Sequence, residues 1–335
     1  KNKKILTPKL FKYNYKKDSI LIENDKNFYF YKLLKKNNNK IYFYKKLVDT
    51  LNKIQKIKSN YKIKTILHTN YVMKKYSNKE LHKESDLFFD WYLPLHFKKK
   101  KISKIKSEAK KALSKIYKKL NFSNSCFVHR DYHAQNLMFF KGKVGLIDSQ
   151  DAIIGNPAYD LVSLVDDVRI KTSEKLKNEI INYYFKKNKK IDNEHQKYFL
   201  EDFNILSVQR SLKIIGIFSR LSTRDNKRKY LKLIPYTWRL LESRMRSKIF
   251  SELKNTQTID FLLPYLLTED NEVNELILHG LWSSGMDVAD HIPAIVECAC
   301  KGNFMVILEA PTLIENLEGP FIEEDLFNAS ASLQE

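Results

Sequence analysis

Residues 126–161 read CFVHRDYHAQNLMFFKGKVGLIDSQDAIIGNPAYDL. Three short apolar pieces, Cys126–Val128, Leu137–Phe140 and Val144–Ile147, are separated by a polar stretch and by Lys141–Gly142–Lys143. That is the pattern of a loop followed by a tight hairpin. His129, Arg130 and Asp131 end the first piece, Asn136 follows five residues beyond Asp131, and Asp148 closes the hairpin. A loop and a hairpin bring residues that are distant in sequence to one place.

Toward the N-terminus, residues 9–15 and 19–23 read as two short strands around Lys16–Lys17–Asp18. From Ile41 to Ile57 the apolar positions Tyr44, Leu47, Val48, Leu51 and Ile54 recur at helical spacing. Residues 80–97 and 103–120 read as two further amphipathic helices. Beyond the hairpin, helices are expected near 158–168, 173–186, 194–220 and 228–250. The tail reads as five short helices, about 258–267, 270–281, 290–300, 303–317 and 321–333, punctuated by Pro and Gly.

Charge divides the chain more sharply than any linker. Residues 255–335 hold fifteen acidic residues against the one basic residue Lys301, a net of −14, which leaves +35 on residues 1–254. The whole chain of 335 residues carries +21. A basic balance attracts polyanions, but here Lys is spread over every basic segment together with abundant Asn, Ile, Tyr and Phe. Coding bias toward AT-rich codons accounts for that without a ligand, so nucleic-acid binding ranks last among the functions. The expected domains are residues 1–254 and an acidic α-helical segment, residues 255–335, that loosely resembles helical hairpins of the HEAT kind.

Three cysteines, Cys126, Cys298 and Cys300, fit a reducing compartment and no disulfide framework. Cys298 and Cys300, with His291 at most beside them, fall short of the four ligands of a structural zinc site. No apolar run reaches the ~18 residues of a membrane span, and no secretory signal opens the chain. The expectation is a cytoplasmic protein without a membrane partner.

The residue types in 126–161 fit phosphoryl transfer. One carboxylate must accept the proton of an attacking hydroxyl, while an amide oxygen and a second carboxylate hold Mg²⁺ against nucleotide phosphates. Taken singly, each residue has a plainer role: Asp131 as a solvated loop carboxylate, Asn136 as a turn former, His129 as a core histidine and Asp148 as a strand-end cap. Their order and spacing together carry the functional reading.

The stretch resembles the aminoglycoside phosphotransferase/choline kinase family, whose pattern is H-x-D-x-x-x-x-N, an I-D-x-x-D-A turn and a G-x-P-x-Y-D-L helix start. His129, Asp131, Asn136, Ile147–Asp148, Asp151–Ala152, Gly155, Pro157 and Tyr159–Asp160–Leu161 supply it. LFFDWYL (87–93), Gln150 and the DLVSLVDD run (160–167) narrow the likeness to the cell-wall amino-sugar kinases, which phosphorylate N-acetylmuramate and N-acetylglucosamine in peptidoglycan recycling. The likeness covers about residues 5–250.

The resemblance implies a protein-kinase-like α+β fold: a partial N-lobe, a mostly helical C-lobe and an extra all-α tail. It implies ATP and Mg²⁺ as cofactors and a small-molecule acceptor. It makes Asp131 the catalytic base, with His129 bracing its loop, and Asn136 and Asp148 the Mg²⁺ ligands. Asp160 would cap the following helix and tie back to the loop. Residues 21–25 (LIEND) match the strand leading into the hinge, where backbone at Glu23, Asn24 and Asp25 would contact adenine.

Ser149 stands where the family commonly has Phe, which removes no ligand. His133 is expected either to meet substrate or to pack under the loop. Asp166 and Asp167 are expected to face the cleft or, at least as readily, solvent. Glu84 and Asp90 are candidates for a sugar contact, and Trp91, Tyr92 and Trp238 for core. No Gly precedes Gly142, and no phosphate-pairing Lys is recognisable upstream. The expectation is therefore an ATP-dependent amino-sugar kinase by family. The alternative is a catalytically impaired kinase-like fragment or a binding module, since the chain as written is expected to take up ATP weakly or not at all, a point that micromolar Mg·ATP binding in a thermal-shift titration would overturn.

Overall fold

The structure, a computed structural model, describes residues 6–8, 10–14, 19–22, 29–57, 62–64, 70–140, 142–188, 191–247, 249–250, 263, 266, 271–284, 286–317, 319 and 321–333. Glu23, Asn24 and Asp25, and most of the tail helix expected near 258–267, lie outside the described residues. The chain divides into two units, Lys1–Leu241 and Glu242–Glu335.

The first unit is an α+β arrangement in which two-stranded antiparallel pairs frame a helical body. β1 (Leu10–Asn14) pairs with β2 (Ser19–Ile22), as the sequence predicts. α1 (Phe30–Lys36) and α2 (Lys40–Gln55) follow, and α2 starts where the Asn39 side chain accepts from the Tyr42 N–H. Its stripe of Tyr44, Leu47, Val48, Leu51 and Ile54 is wholly buried. β3 (Lys62–Lys64) and β4 (Asn70–Val72) form a second pair.

α3 (Asn78–Leu87) is capped by Ser77 and begins the segment expected to run as one helix over 80–97. It does not stay α-helical. Phe88–Tyr92 widens into a π turn, and Leu93–Leu95 tightens into a 3₁₀ turn with Pro94 at its start. The cause is a crossing. A Cβ built on Gly216 would fall within 2.5 Å of the Phe88 nitrogen and closer still to the Leu87 carbonyl. Phe88 stacks on Tyr92, and both meet Trp238, whose Nε1 donates to the Tyr92 hydroxyl at 3.1 Å. Tyr92 and Trp238 thus form packing contacts, though they and Trp91 are half-buried rather than core.

α4 (Lys99–Tyr117) leads to β5 (Cys126–Val128), which pairs antiparallel with β8 (Ile153–Gly155). Between them β6 (Leu137–Phe140) and β7 (Lys143–Leu146) make the predicted hairpin, with Gly142 at φ 74° in its turn. Only a residue without a Cβ adopts that φ at no steric cost. α5 (Ala158–Val165), α6 (Glu174–Lys187) and α7 (Asn193–Thr223) complete the body, followed by a 3₁₀ segment at Arg228–Leu233 and α8 (Ile234–Met245). The helix expected over 228–250 therefore starts later, behind a 3₁₀ turn. α7 is 31 residues long, and its central part is buried nearly all round, which is why its sequence lacks a clean polar face.

The second unit contains α9 (Asn271–Ser284), α10 (Ile292–Lys301), α11 (Phe304–Glu315) and α12 (Glu323–Ser332), close to four of the five expected tail helices. Its core joins Leu278, Leu281, Ile295, Cys298, Val306 and Leu313. Cys298 is thus a buried apolar residue, and all three cysteines are free. No described helix is long and apolar enough to cross a membrane.

Candidate active site

The site is built where the chain leaves β5. The His129 and Arg130 N–H groups donate to the two carboxylate oxygens of Asp160 at 2.7 and 3.1 Å. Asp160 lies in the first turn of α5 and is fully buried. It ties back to the loop as expected, but it does not cap the helix. Pro157 occupies the N-cap, and Asn156 Oδ1 accepts the Ala158 N–H at 2.9 Å. Burial pushes the Asp160 carboxyl up to about 7, against the pull of the two N–H donors.

Arg130 sits at φ 71°, in the left-handed region. For a residue with a Cβ this costs on the order of 1 kcal/mol and needs support from the surroundings. Besides Asp160, the support comes through the side chain. The Arg130 guanidinium is paired with Glu84, donates to the Asp151 carbonyl at 3.3 Å and lies over the Tyr76 ring. The turn at Arg130 sets the direction in which the next residue, Asp131, leaves.

The loop beyond is held on every side. The Tyr132 hydroxyl donates to the Leu47 carbonyl of α2 at 2.8 Å. Ala134 donates its N–H to Asp167 and accepts from the Tyr31 N–H, both at 3.1 Å. The Asn136 side-chain amide donates to the Asp131 carbonyl at 3.2 Å, and its backbone carbonyl accepts from Ile147 at 3.1 Å. His129 Nε2 donates to the Ile147 carbonyl at 3.0 Å, immediately before Asp148. Burial lowers the His129 pKa although both Asp131 and Asp148 act on it in the opposite sense. A neutral, fully enclosed imidazole therefore ties the two ends of the loop together.

The chain positions of Asp131, Asn136 and Asp148 thus gather around His129. Asp131 and Asn136 are part-buried and Asp148 is exposed. Asp148 sits at φ 63° and accepts from the Gln150 side chain through Oδ1. Because Asn136 commits its NH₂ to the Asp131 carbonyl, its Oδ1 is the end left for a ligand. An amide oxygen and a carboxylate are the hard donors Mg²⁺ takes, usually with several waters retained. The donor chemistry of the two residues fits that ion.

Other candidates fall differently. Asp166 and Asp167 face neither solvent nor an open cleft, since both are buried. Asp166 binds Ser207 at 2.7 Å and Lys177 at 3.3 Å, while Asp167 holds Ala134 and Arg169. His133 packs under the loop, where burial and the Arg169 charge push it down to about 3. Asp90 pairs with Lys106 at 2.5 Å on the surface. Glu84 is buried and accepts from Arg130, Lys213, Tyr76 and Gln209. The sequence reading gave no role to Lys213 or Gln209. The available signal was a run of charged and polar residues, Gln209, Arg210 and Lys213, inside the otherwise apolar middle of α7.

The fold and this loop define a protein-kinase-like architecture. An ethanolamine kinase of Plasmodium vivax superposes with a TM-score of 0.50 at 13% identity, covering 72% of this chain and 68% of that one. The pattern of the phosphotransferase enzyme family matches residues 43–197. It is 34% identical over 176 residues to an N-acetylmuramate/N-acetylglucosamine kinase of Pseudomonas aeruginosa, covering 51% of this chain and 52% of that protein. A protein of the same description from Neisseria meningitidis is 32% identical over 167 residues, covering 49% and 50%. The chain spans about half the length of these curated relatives.

Proposed function

We propose that the chain is an ATP-dependent small-molecule kinase that phosphorylates a hydroxyl of an amino sugar of the N-acetylmuramate/N-acetylglucosamine class. The observation that carries this reading is the gathering of Asp131, Asn136 and Asp148 around the buried His129. The acceptor oxygen forms a bond to the γ-phosphorus of ATP as the bond to the β–γ bridging oxygen breaks, and Asp131 takes the hydroxyl proton. Asn136 Oδ1 and the Asp148 carboxylate would hold Mg²⁺, which when bound neutralises charge on the phosphates. His129 keeps Asp131 and Asp148 at a fixed separation through Ile147. Glu23, Asn24 and Asp25 remain the proposed adenine contacts. The reading extends to the cytoplasm and the reuse of cell-wall sugars, supported by the relatives' substrates and by three free cysteines.

The test is transfer of labelled γ-phosphate from ATP to N-acetylglucosamine or N-acetylmuramate. Asp131→Ala is expected to lower turnover by about 100- to 10,000-fold, the usual contribution of a general base, with circular dichroism unchanged. Undiminished turnover removes Asp131 from the role. No transfer to either sugar sinks the substrate class.

A further inference from the structure

Arg130 is the residue from which Asp131 leaves the turn after β5, and it sits at φ 71°. Glycine adopts that region freely, whereas a residue with a Cβ stays there only while its surroundings hold it. The hold has two parts. Asp160 takes the Arg130 N–H at 3.1 Å and fixes the backbone on one side. On the other side the guanidinium pairs with Glu84, the one charged partner it meets among the described residues. The Asp151 carbonyl at 3.3 Å and the Tyr76 ring are neutral contacts, and Arg130 Nε is buried with no hydrogen-bond partner among the described residues.

Glu84 is fixed in turn by elements remote in sequence. Its Oε1 also meets Lys213 Nζ at 3.0 Å, and its Oε2 accepts from the Tyr76 hydroxyl and from Gln209 Nε2 at 3.1 Å. Lys213 and Gln209 belong to α7, whose backbone passes so close to the end of α3 that a Cβ at Gly216 would collide with it. Counting Asp131, two cations face two carboxylates and the cluster is neutral. A buried ion cluster is a weak source of stability, since apolar side chains of similar volume often serve as well. What Glu84 adds that packing does not is a fixed point for the guanidinium, and through it a fixed direction for the residue after Arg130.

We propose that Glu84 is a positioning residue: by holding Arg130 in its left-handed turn it aims the Asp131 carboxylate at the acceptor hydroxyl, without itself touching substrate. The reaction it serves rests on the amino-sugar kinase reading above, while the positioning rests on the loop geometry alone.

The experiment compares the full chain with Glu84→Gln, Arg130→Gly and the double variant, in turnover per folded molecule and in hydrogen–deuterium exchange. A misplacement of about 1 Å costs on the order of 100-fold in rate, so Glu84→Gln is expected to lower kcat by about 10- to 100-fold with the KM for ATP and sugar kept within about threefold. The amides of residues 129–136 are expected to exchange about tenfold faster, as release of a left-handed residue allows, while those of α6 do not change. Arg130→Gly takes the same φ unsupported. Adding Glu84→Gln to it should therefore cost no more than about a further threefold in either measure. A kcat within about threefold of the unaltered chain, unchanged loop exchange, or the same loss with and without Arg130→Gly overturns the proposal. Should Glu84→Gln not fold, Glu84→Asp, which keeps the charge and draws the oxygens back by one methylene, is held to the same limits in both backgrounds. Transfer to neither sugar by the unaltered chain sinks the amino-sugar reading, and the exchange comparison then decides the positioning by itself.

Discussion

Gly216→Ala separates local propensity from tertiary contact, because the two predict opposite signs. In a helix interior Ala is favoured over Gly by about 1 kcal/mol, so α7 taken alone is stabilised. The structure argues otherwise. The new methyl would meet the Phe88 nitrogen at 2.5 Å and the Leu87 carbonyl at less, all of it backbone. Ordinary carbon contacts start near ~3.5 Å, so α7 and the start of the π turn must part by about 1 Å. Overpacking of that kind costs about 1–3 kcal/mol. Gln209, Lys213 and Gly216 share one face of α7, so the same parting stretches the Lys213–Glu84 contact of 3.0 Å and the Gln209–Glu84 bond of 3.1 Å. The net expectation is a loss of about 1–3 kcal/mol, with the Arg130 support loosened as well. The assay is urea unfolding followed by tryptophan fluorescence in a Trp282→Phe background, where Trp91 and Trp238 report on the first unit. A midpoint that stays or rises, at unchanged slope, refutes the crossing as described.

Glu84→Gln leaves the Arg130 and Lys213 cations without their counter-charge, and breaking a buried pair costs about 3–5 kcal/mol. The same urea assay measures it. Burial raises the Glu84 pKa, but the Lys213 and Arg130 charges outweigh burial and take it down to about 2 from 4.5. Its contribution is therefore present above pH 4.5 and lost as pH falls toward 2. Glu84→Gln should flatten that part of the stability profile. In the second unit, His279 lies between Glu242 at 3.2 Å and Glu309 at 3.2 Å, and the Glu242 hydrogen bond leads in raising its pKa above 6.5. That contribution is full below pH 6.5 and fades as pH rises through the folded-state value. Thermal unfolding followed by Trp282 fluorescence should show the decline, and His279→Gln should remove it.

What the sequence made legible and what it hid follow from the range of the interactions. His129, Asp131, Asn136 and Asp148 lie within one loop and one hairpin, so their spacing carries their arrangement, and Lys141–Gly142–Lys143 marks the turn. The stripe on α2 was equally readable, because its periodicity is local. β8 was not, since Ile153–Gly155 is three buried residues whose partner, β5, lies beyond the whole hairpin. The π turn at Phe88–Tyr92 was hidden because the helical period runs on through it, and what widens it is Gly216 on α7. Asp166 and Asp167 were open to a solvated reading because their partners, Lys177, Ser207 and Ala134, come from other elements.

Arg130 carries this further. Its left-handed turn sets how Asp131 is presented, and it is held by Asp160 downstream and Glu84 upstream, with Lys213 and Gln209 fixing Glu84 from α7. The motif 126–161 names the groups proposed to do the chemistry, while α3 and α7 determine where the first of them points. A chain that kept every residue of 126–161 and lost Glu84 would retain the signature of the family and lose the aim of its proposed base.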